Sequence, residues 1–138
     1  MPQTISCNVS AQIAGGPTVT VPQSFLVDAY DKIDVVIPPL TPGAGGGAAT
    51  PGTATVQVQP SPGGSVKFLL VMTDNYNAQL SYTVDGRATS YRLDAPHLLL
   101  GDGAVGMLGN TQRAFAFSNT ITPATPVAIT ILVGRNAT

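Results

Sequence analysis

The stretch Gln79-Leu80-Ser81-Tyr82-Thr83-Val84-Asp85-Gly86-Arg87-Ala88-Thr89-Ser90-Tyr91-Arg92-Leu93 decides the fold. Leu80, Tyr82 and Val84 alternate with Ser81 and Thr83, the period of a strand with one face buried. Asp85-Gly86 is a hairpin pair, because a tight β-turn needs residues that tolerate positive φ. Ser90 to Leu93 then returns as the partner strand, which sets Tyr82 beside Tyr91 across the pair. Asp94-Ala95-Pro96 breaks the strand.

The same pattern extends in both directions. Upstream, Val66 to Met72 is a nearly continuous apolar run, which predicts a central strand buried on both faces. Ala54 to Gln59 alternates, and Pro60 to Gly64 is a turn. Downstream, His97 to Leu100 is a short apolar strand. Gly101 to Gly109 is a glycine-rich loop, and Arg113 to Phe117 and Val127 to Val133 are the last strands. Phe115 and Phe117 share a core face. In the first third, Ile5, Cys7, Val9, Ala11 and Ile13 alternate with polar residues, so residues 1–14 read as a strand or arm with one apolar face. Gly15-Gly16-Pro17 turns the chain, Thr18 to Val21 is a second strand, and Pro22 ends it or marks an edge. Phe25 to Val27 is apolar, Tyr30-Asp31 is turn-like, and Ile33, Val35 and Ile37 alternate. Residues 41–53 form a Gly/Pro-rich loop that cannot contribute to a core.

Composition agrees. The 138 residues include 15 Gly, 12 Pro and no Glu, which disfavours helix. The expectation is a single all-β domain over residues 1–138, a β-sandwich or jelly-roll-like fold of about nine short strands with little or no helix.

Charged residues are 9% of the chain, against about 25% in an ordinary domain. With one His, one Cys and a net charge of −1, the chain has no Glu dyad, no Cys/His metal cluster and no basic field for nucleic acid. Cys7 has no disulfide partner and is expected as a small core residue. No apolar run is long enough to span a membrane as a helix, and Met1 to Ser10 lacks the pattern of a secretory signal.

Gly101-x-Gly103-x-x-Gly106 matches a dinucleotide fingerprint in letters, but that mechanism needs a following helix and an acidic residue about twenty positions on. Neither is expected. Asp28, Asp31 and Asp34, and the run Asp74-Asn75-Tyr76-Asn77, offer oxygens for an ion; both read more simply as turn and strand-end residues. His97, the only candidate general base, lacks a serine in a nucleophile-elbow context and is expected at a packed strand end. No catalytic residue, cofactor or metal is assigned. Tyr76, Tyr82 and Tyr91 would suit a sugar-stacking platform, which keeps a glycan- or surface-binding module open as an alternative.

A nearly uncharged, strand-rich chain without reactive groups points to a building block of an ordered assembly, since interface cores are depleted of charge. The residues singled out for such contacts are Ile5, Cys7, Val9, Ala11 and Ile13 of the arm, Pro42, Gly45, Gly46 and Gly47 of the loop, and Arg135 in the tail 133–136, which is expected to pair with a neighbour's edge.

The stretches Phe68-Leu-Leu-Val-Met-Thr-Asp-Asn-Tyr-Asn-Ala-Gln-Leu-Ser-Tyr-Thr-Val-Asp-Gly86 and Leu93-Asp-Ala-Pro-His-Leu-Leu-Leu-Gly101 resemble small all-β structural proteins of tailed bacteriophages, of the capsid decoration or cement type. The resemblance covers about half of the chain, has no diagnostic motif and carries over no binding residue. It implies a virion protein made in the host cytoplasm that bridges major capsid protein subunits or other virion subunits and forms a homo-oligomer, with a trimer favoured. A tail component is the second reading.

Overall fold

The computed structural model describes residues 2–59, 65–109 and 111–136; the turn expected at Pro60 to Gly64 lies outside them. Among the described residues there are ten strands: β1 Gln3–Gln12, β2 Thr18–Val27, β3 Ala29–Ile37, β4 Gly52–Gln57, β5 Ser65–Thr73, β6 Leu80–Val84, β7 Ser90–Arg92, β8 His97–Leu100, β9 Ala114–Asn119 and β10 Val127–Asn136. All strand pairs are antiparallel. The expected all-β class holds, with one more strand than anticipated.

β3 to β10 build two four-stranded sheets, ordered β3-β10-β5-β8 and β4-β9-β6-β7. Apart from the β6–β7 hairpin, the chain changes sheet at each connection between these strands. The core lies between the sheets. Ile37, Leu69, Val71, Ile129, Ile131 and Val133 from the first sheet face Val56, Leu80, Tyr82, Val84, Phe115 and Phe117 from the second. The alternation in the sequence fixes this register, because a one-residue slip would turn each apolar set to solvent. Tyr82 pairs with Tyr91 as the spacing predicts. At the turn, Asp85 and Gly86 take positive φ values of 54° and 70°, and the Arg87 N–H donates to the Val84 carbonyl at 3.1 Å.

Asn119 is fully buried and ties the β9–β10 connection to the end of β3. Its amide N–H groups donate to the carbonyls of Pro38 (3.2 Å) and Thr125 (2.8 Å), and its Oδ1 accepts from the Ile121 N–H (3.0 Å). Burying an amide is tolerable only with its bonds made.

Four local expectations are corrected. Tyr30-Asp31 is not a turn: β3 starts at Ala29, and the bend falls at Asp28. The segments Thr18–Val21 and Phe25–Val27 are one strand that passes through Pro22, which a two-stranded ribbon with an outer edge permits. After β8 the glycine-rich segment coils into a five-residue helix, α1, Gly101–Val105, followed by a 3-10 turn at Gly106–Leu108. Burial of Val105 and Leu108 overrides the poor helix propensity of glycine. The loop expected at 41–53 is shorter, because Thr41 bridges Thr50 and β4 begins at Gly52.

Candidate functional site

β1 and β2 form a separate two-stranded sheet, an arm whose ten rungs run from Gln3↔Val27 to Gln12↔Thr18. Directly opposed residues share a face. The rungs Ile5–Phe25, Val9–Val21 and Ala11–Val19, together with Val27 at the root, make one face apolar apart from Gln23 opposite Cys7 and Gln3 opposite Val27. The other face carries Thr4, Ser6, Asn8, Ser10 and Gln12 opposite Leu26, Ser24, Pro22, Thr20 and Thr18.

The root of the arm is seated on the body. Ile5 Cδ1 and Val27 Cγ1 occupy the space that a side chain at position 134 would need, and the Phe25 and Phe68 rings meet at 6.1 Å. Gly134 is a glycine because the arm crosses it. Beyond the root the apolar face loses its cover: Val19 is 60% exposed and Ile13 69%. The sequence from residue 1 to residue 27 contains no charged side chain. An isolated two-stranded ribbon is marginal in water, and natural sheets protect free edges with lysine, proline or bulges. Pro22 interrupts the β2 edge, whereas Gln3–Gln12 of β1 has neither proline nor charge.

The two sheets differ on their outer faces. In the second sheet the outward rows are Thr53–Ser118–Ser81–Arg92 and Thr55–Ala116–Thr83–Ser90, an ordinary solvated surface. In the first they are Asp34–Thr130–Met72 and Lys32–Leu132–Leu70–Leu98, with Val36 exposed beside them. Leu70, Met72, Leu98 and Leu132 are half-buried. The run Val66 to Met72 was expected to be buried on both faces. The chain covers one face fully, and covers the other only at Phe68, beneath the arm.

The arm thus brings together Ile5, Cys7, Val9, Ala11 and Ile13, as the alternation predicts. Cys7 departs from expectation: it sits half-buried on the arm, outside the core. The loop residues Pro42, Gly45, Gly46 and Gly47 are exposed and not part of that surface; Ala44–Gly46 form a 3-10 turn closed by the Thr41–Thr50 bridge. The tail 133–136 is not a free strand. It ends β10, with partners in β3 and β5 on either side. Arg135 is turned inward, ion-paired to Asp31 and donating to the Val58 carbonyl at 3.5 Å.

The polar candidates have structural partners. Asp34 accepts from the Thr130 hydroxyl at 2.7 Å and lies 3.8 Å from the Lys32 ammonium. Asp74 accepts the Ala128 N–H at 3.0 Å, and Asn77 Oδ1 accepts the Gln79 N–H at 2.9 Å. Among the described residues no three His, Cys, Asp or Glu side chains converge on one point. Tyr82 is fully buried, so the three tyrosines do not form an open stacking platform. Its hydroxyl meets His97 Nδ1 at 2.6 Å, its ring stacks on Phe115 at 5.4 Å, and burial pushes its phenol well above the ordinary value, with Tyr91 adding to the rise. An apolar cleft of about 400 Å³ lies beside this pair, lined partly by Tyr91, Leu99 and Met107. α1 has only five residues and no side-chain cap, and it follows a strand of an antiparallel sheet, unlike the parallel βαβ setting of a dinucleotide fingerprint.

Asp85 is the other perturbed group. Partial burial alone would raise its pKa. The Thr111 hydroxyl (2.7 Å) and the N–H groups of Ala114 and Arg113 (both 2.8 Å), with the Arg87 charge nearby, outweigh that and hold it below the ordinary carboxylate value. Its role is to tie the β6–β7 turn to β9.

Sequence reasoning missed the outer-face leucines and the continuation of the second strand through Pro22 to Val27, which makes the arm a two-stranded ribbon. The signal was present: a strand apolar at successive positions, such as Phe68 to Met72, needs cover on two sides. Among the described residues no helix is long and apolar enough to cross a membrane. Comparison of the chain with protein-family models, curated proteins and solved structures finds no match.

Proposed function

We propose that this protein is a non-catalytic structural subunit of an ordered assembly, specifically a decoration protein that binds and stabilises an assembled phage capsid. The observation that carries the reading is the arm: a charge-free ribbon whose apolar face runs out past the body into solvent. Burying such a surface against another subunit gains apolar transfer energy without desolvating an ion.

The strand order supports the viral assignment by analogy of fold alone. Sheets ordered β3-β10-β5-β8 and β4-β9-β6-β7, with the chain crossing between them at six of the seven connections, support reading the fold as a jelly roll. That architecture occurs in viral capsid proteins and also in lectins. The buried position of Tyr82 favours the former over a sugar-stacking site. As a decoration protein the chain acts by linkage: it binds the assembled shell in preference to loose subunits, so its binding free energy adds to shell stability.

The test is attachment. Purified chain is mixed with shells of the phage that encodes it, and separately with unassembled capsid subunits, then sedimented. Saturable binding to shells, with a rise in shell melting temperature and weak dependence on salt, is expected. Absence of the chain from shells at saturating concentration would refute the assignment.

A further inference from the structure

Building on the reading of the arm as an interface, we infer that its partner is a second copy of this chain, with the apolar face of one arm lying on the outer face of the β3-β10-β5-β8 sheet of the other. The molecule already makes this contact with itself. At the root, Ile5, Phe25 and Val27 pack on Gly134 and Phe68, which belong to that same outer face. Further along the sheet, Leu70, Leu98 and Leu132 form the next apolar row and have no arm above them. Further along the arm, the rungs Val9–Val21 and Ala11–Val19 have no sheet beneath them. One copy therefore holds both halves of the contact, displaced so that it cannot close them on itself.

The chemistry of the two faces matches. The arm carries no charge, and the outer row of leucines is flanked on β3 by Lys32 and Asp34, which pair with each other and need no counter-ion from the arm. The opposite sheet, with its threonine and serine rows, offers no such footing.

The area falls at the low end of the specific range. Six rungs at about 3.3 Å rise and two strands at about 4.8 Å spacing give a footprint of roughly 20 by 10 Å, or about 200 Å² per face. Reciprocal exchange covers four such faces. With side-chain relief the total approaches the ~1,000–1,200 Å² at which specific interfaces begin.

Analytical ultracentrifugation of the full-length chain tests the proposal. Three variants accompany the wild type: Val9→Asp on the arm, Leu98→Lys on the sheet, and a shortened arm in which residues 7–23 are replaced by an Asn-Gly turn joining Ser6 to Ser24. Circular dichroism confirms that each retains the β body. The wild type is expected to self-associate. Each point variant should weaken association roughly 100-fold or more, since it buries an unpaired charge, and the shortened arm should abolish it. An equimolar mixture of the Val9→Asp and Leu98→Lys proteins should regain association, because the two charges meet across the one contact. A monomeric wild type at ~1 mM, above the dissociation constant expected even at the weak end of specific interfaces, overturns the inference, as does association that survives either point variant. Binding to phage shells by a strictly monomeric chain would remove this inference and leave the proposed function standing; a self-associating chain that ignores shells would do the reverse.

Discussion

Replacing Gly134 by alanine probes the seating of the arm. Gly134 does not have a positive φ, so alanine is conformationally allowed, and in an open strand it would stabilise by about 0.5–1 kcal/mol through reduced backbone entropy. Here the new methyl group overlaps Ile5 Cδ1 and lies 3.1 Å from Val27 Cγ1 and 3.4 Å from Phe68 Cβ. Ile5 can swing its terminal methyl aside, so the overpacking cost falls in the lower half of the usual range, about 1–2 kcal/mol. The net effect of Gly134→Ala is a destabilisation of about 0.5–1 kcal/mol. Ile5→Ala alone removes a half-buried side chain and costs about 1 kcal/mol. In the Ile5→Ala background the overlap with Ile5 is gone and only the tight 3.1 Å approach to Val27 Cγ1 remains, so Gly134→Ala should reverse sign and stabilise by about 0.5 kcal/mol. The coupling across the cycle is then about 1–1.5 kcal/mol, well above the ~0.3–0.5 kcal/mol scatter of independent sites. Urea unfolding followed by circular dichroism, at a concentration low enough to keep the chain monomeric, measures it. Additive effects of the two substitutions would refute the docking of the arm on β10.

Asp85→Asn should destabilise the protein at neutral pH. The folded pKa of Asp85 is depressed, so its contribution is full above the unfolded carboxylate value of about 3.9 and is lost as pH falls through the folded value. The melting-temperature gap between wild type and variant should narrow below about pH 4; a gap constant from pH 7 to pH 2 would contradict the assigned bonds. Asn119→Ala leaves the part-buried Pro38 and Thr125 carbonyls and the buried Ile121 N–H without their side-chain partner and should cost about 2–3 kcal/mol, read by chemical denaturation; a loss below about 1 kcal/mol would exclude the network described. Tyr82→Phe removes the hydroxyl bonded to His97 and should cost about 1 kcal/mol, lowering the thermal midpoint by a few degrees without changing the fold. An unchanged midpoint would mean that this bond does not stabilise the core.

Where one face of a strand is buried inside the chain, the sequence was sufficient. The alternation of Leu80, Tyr82 and Val84, the Asp85-Gly86 turn and the Phe115–Phe117 pair place the second sheet because period two and turn stereochemistry are local properties. Where burial depends on distant segments, local pattern misled. Pro22 looked like a terminus because its missing N–H forbids a central ladder, yet it is harmless on the outer edge of a ribbon. Tyr30-Asp31 looked like a turn because polar residues interrupt Phe25 to Ile37, although the strand pairs through them with Gly134 and Val133. The helix at Gly101–Val105 was invisible because it exists to bury Val105 and, through the next turn, Leu108. Arg135 read as part of a tail that pairs with a neighbour's edge because its partners within the chain, Asp31 and Val58, are distant in sequence. The candidate surface was half legible. The apolar face of β1 follows from its alternation, but its pairing with β2 depends on the register of the whole hairpin. The half-buried row Leu70, Leu98 and Leu132 becomes visible only once three strands are set side by side.

Amide hydrogen exchange of the arm, compared between dilute and assembled protein, tests the central claim most directly. Hydrogen bonds of an uncovered two-stranded ribbon open readily. In dilute solution amides of residues 7–23 should exchange rapidly while those of β5, β9 and β10 remain protected, and on assembly the arm should slow together with the segments bearing Leu70, Leu98 and Leu132. Arm amides that exchange at the same fast rate in the assembled state would contradict the account, since the apolar ribbon would then have no subunit to cover it.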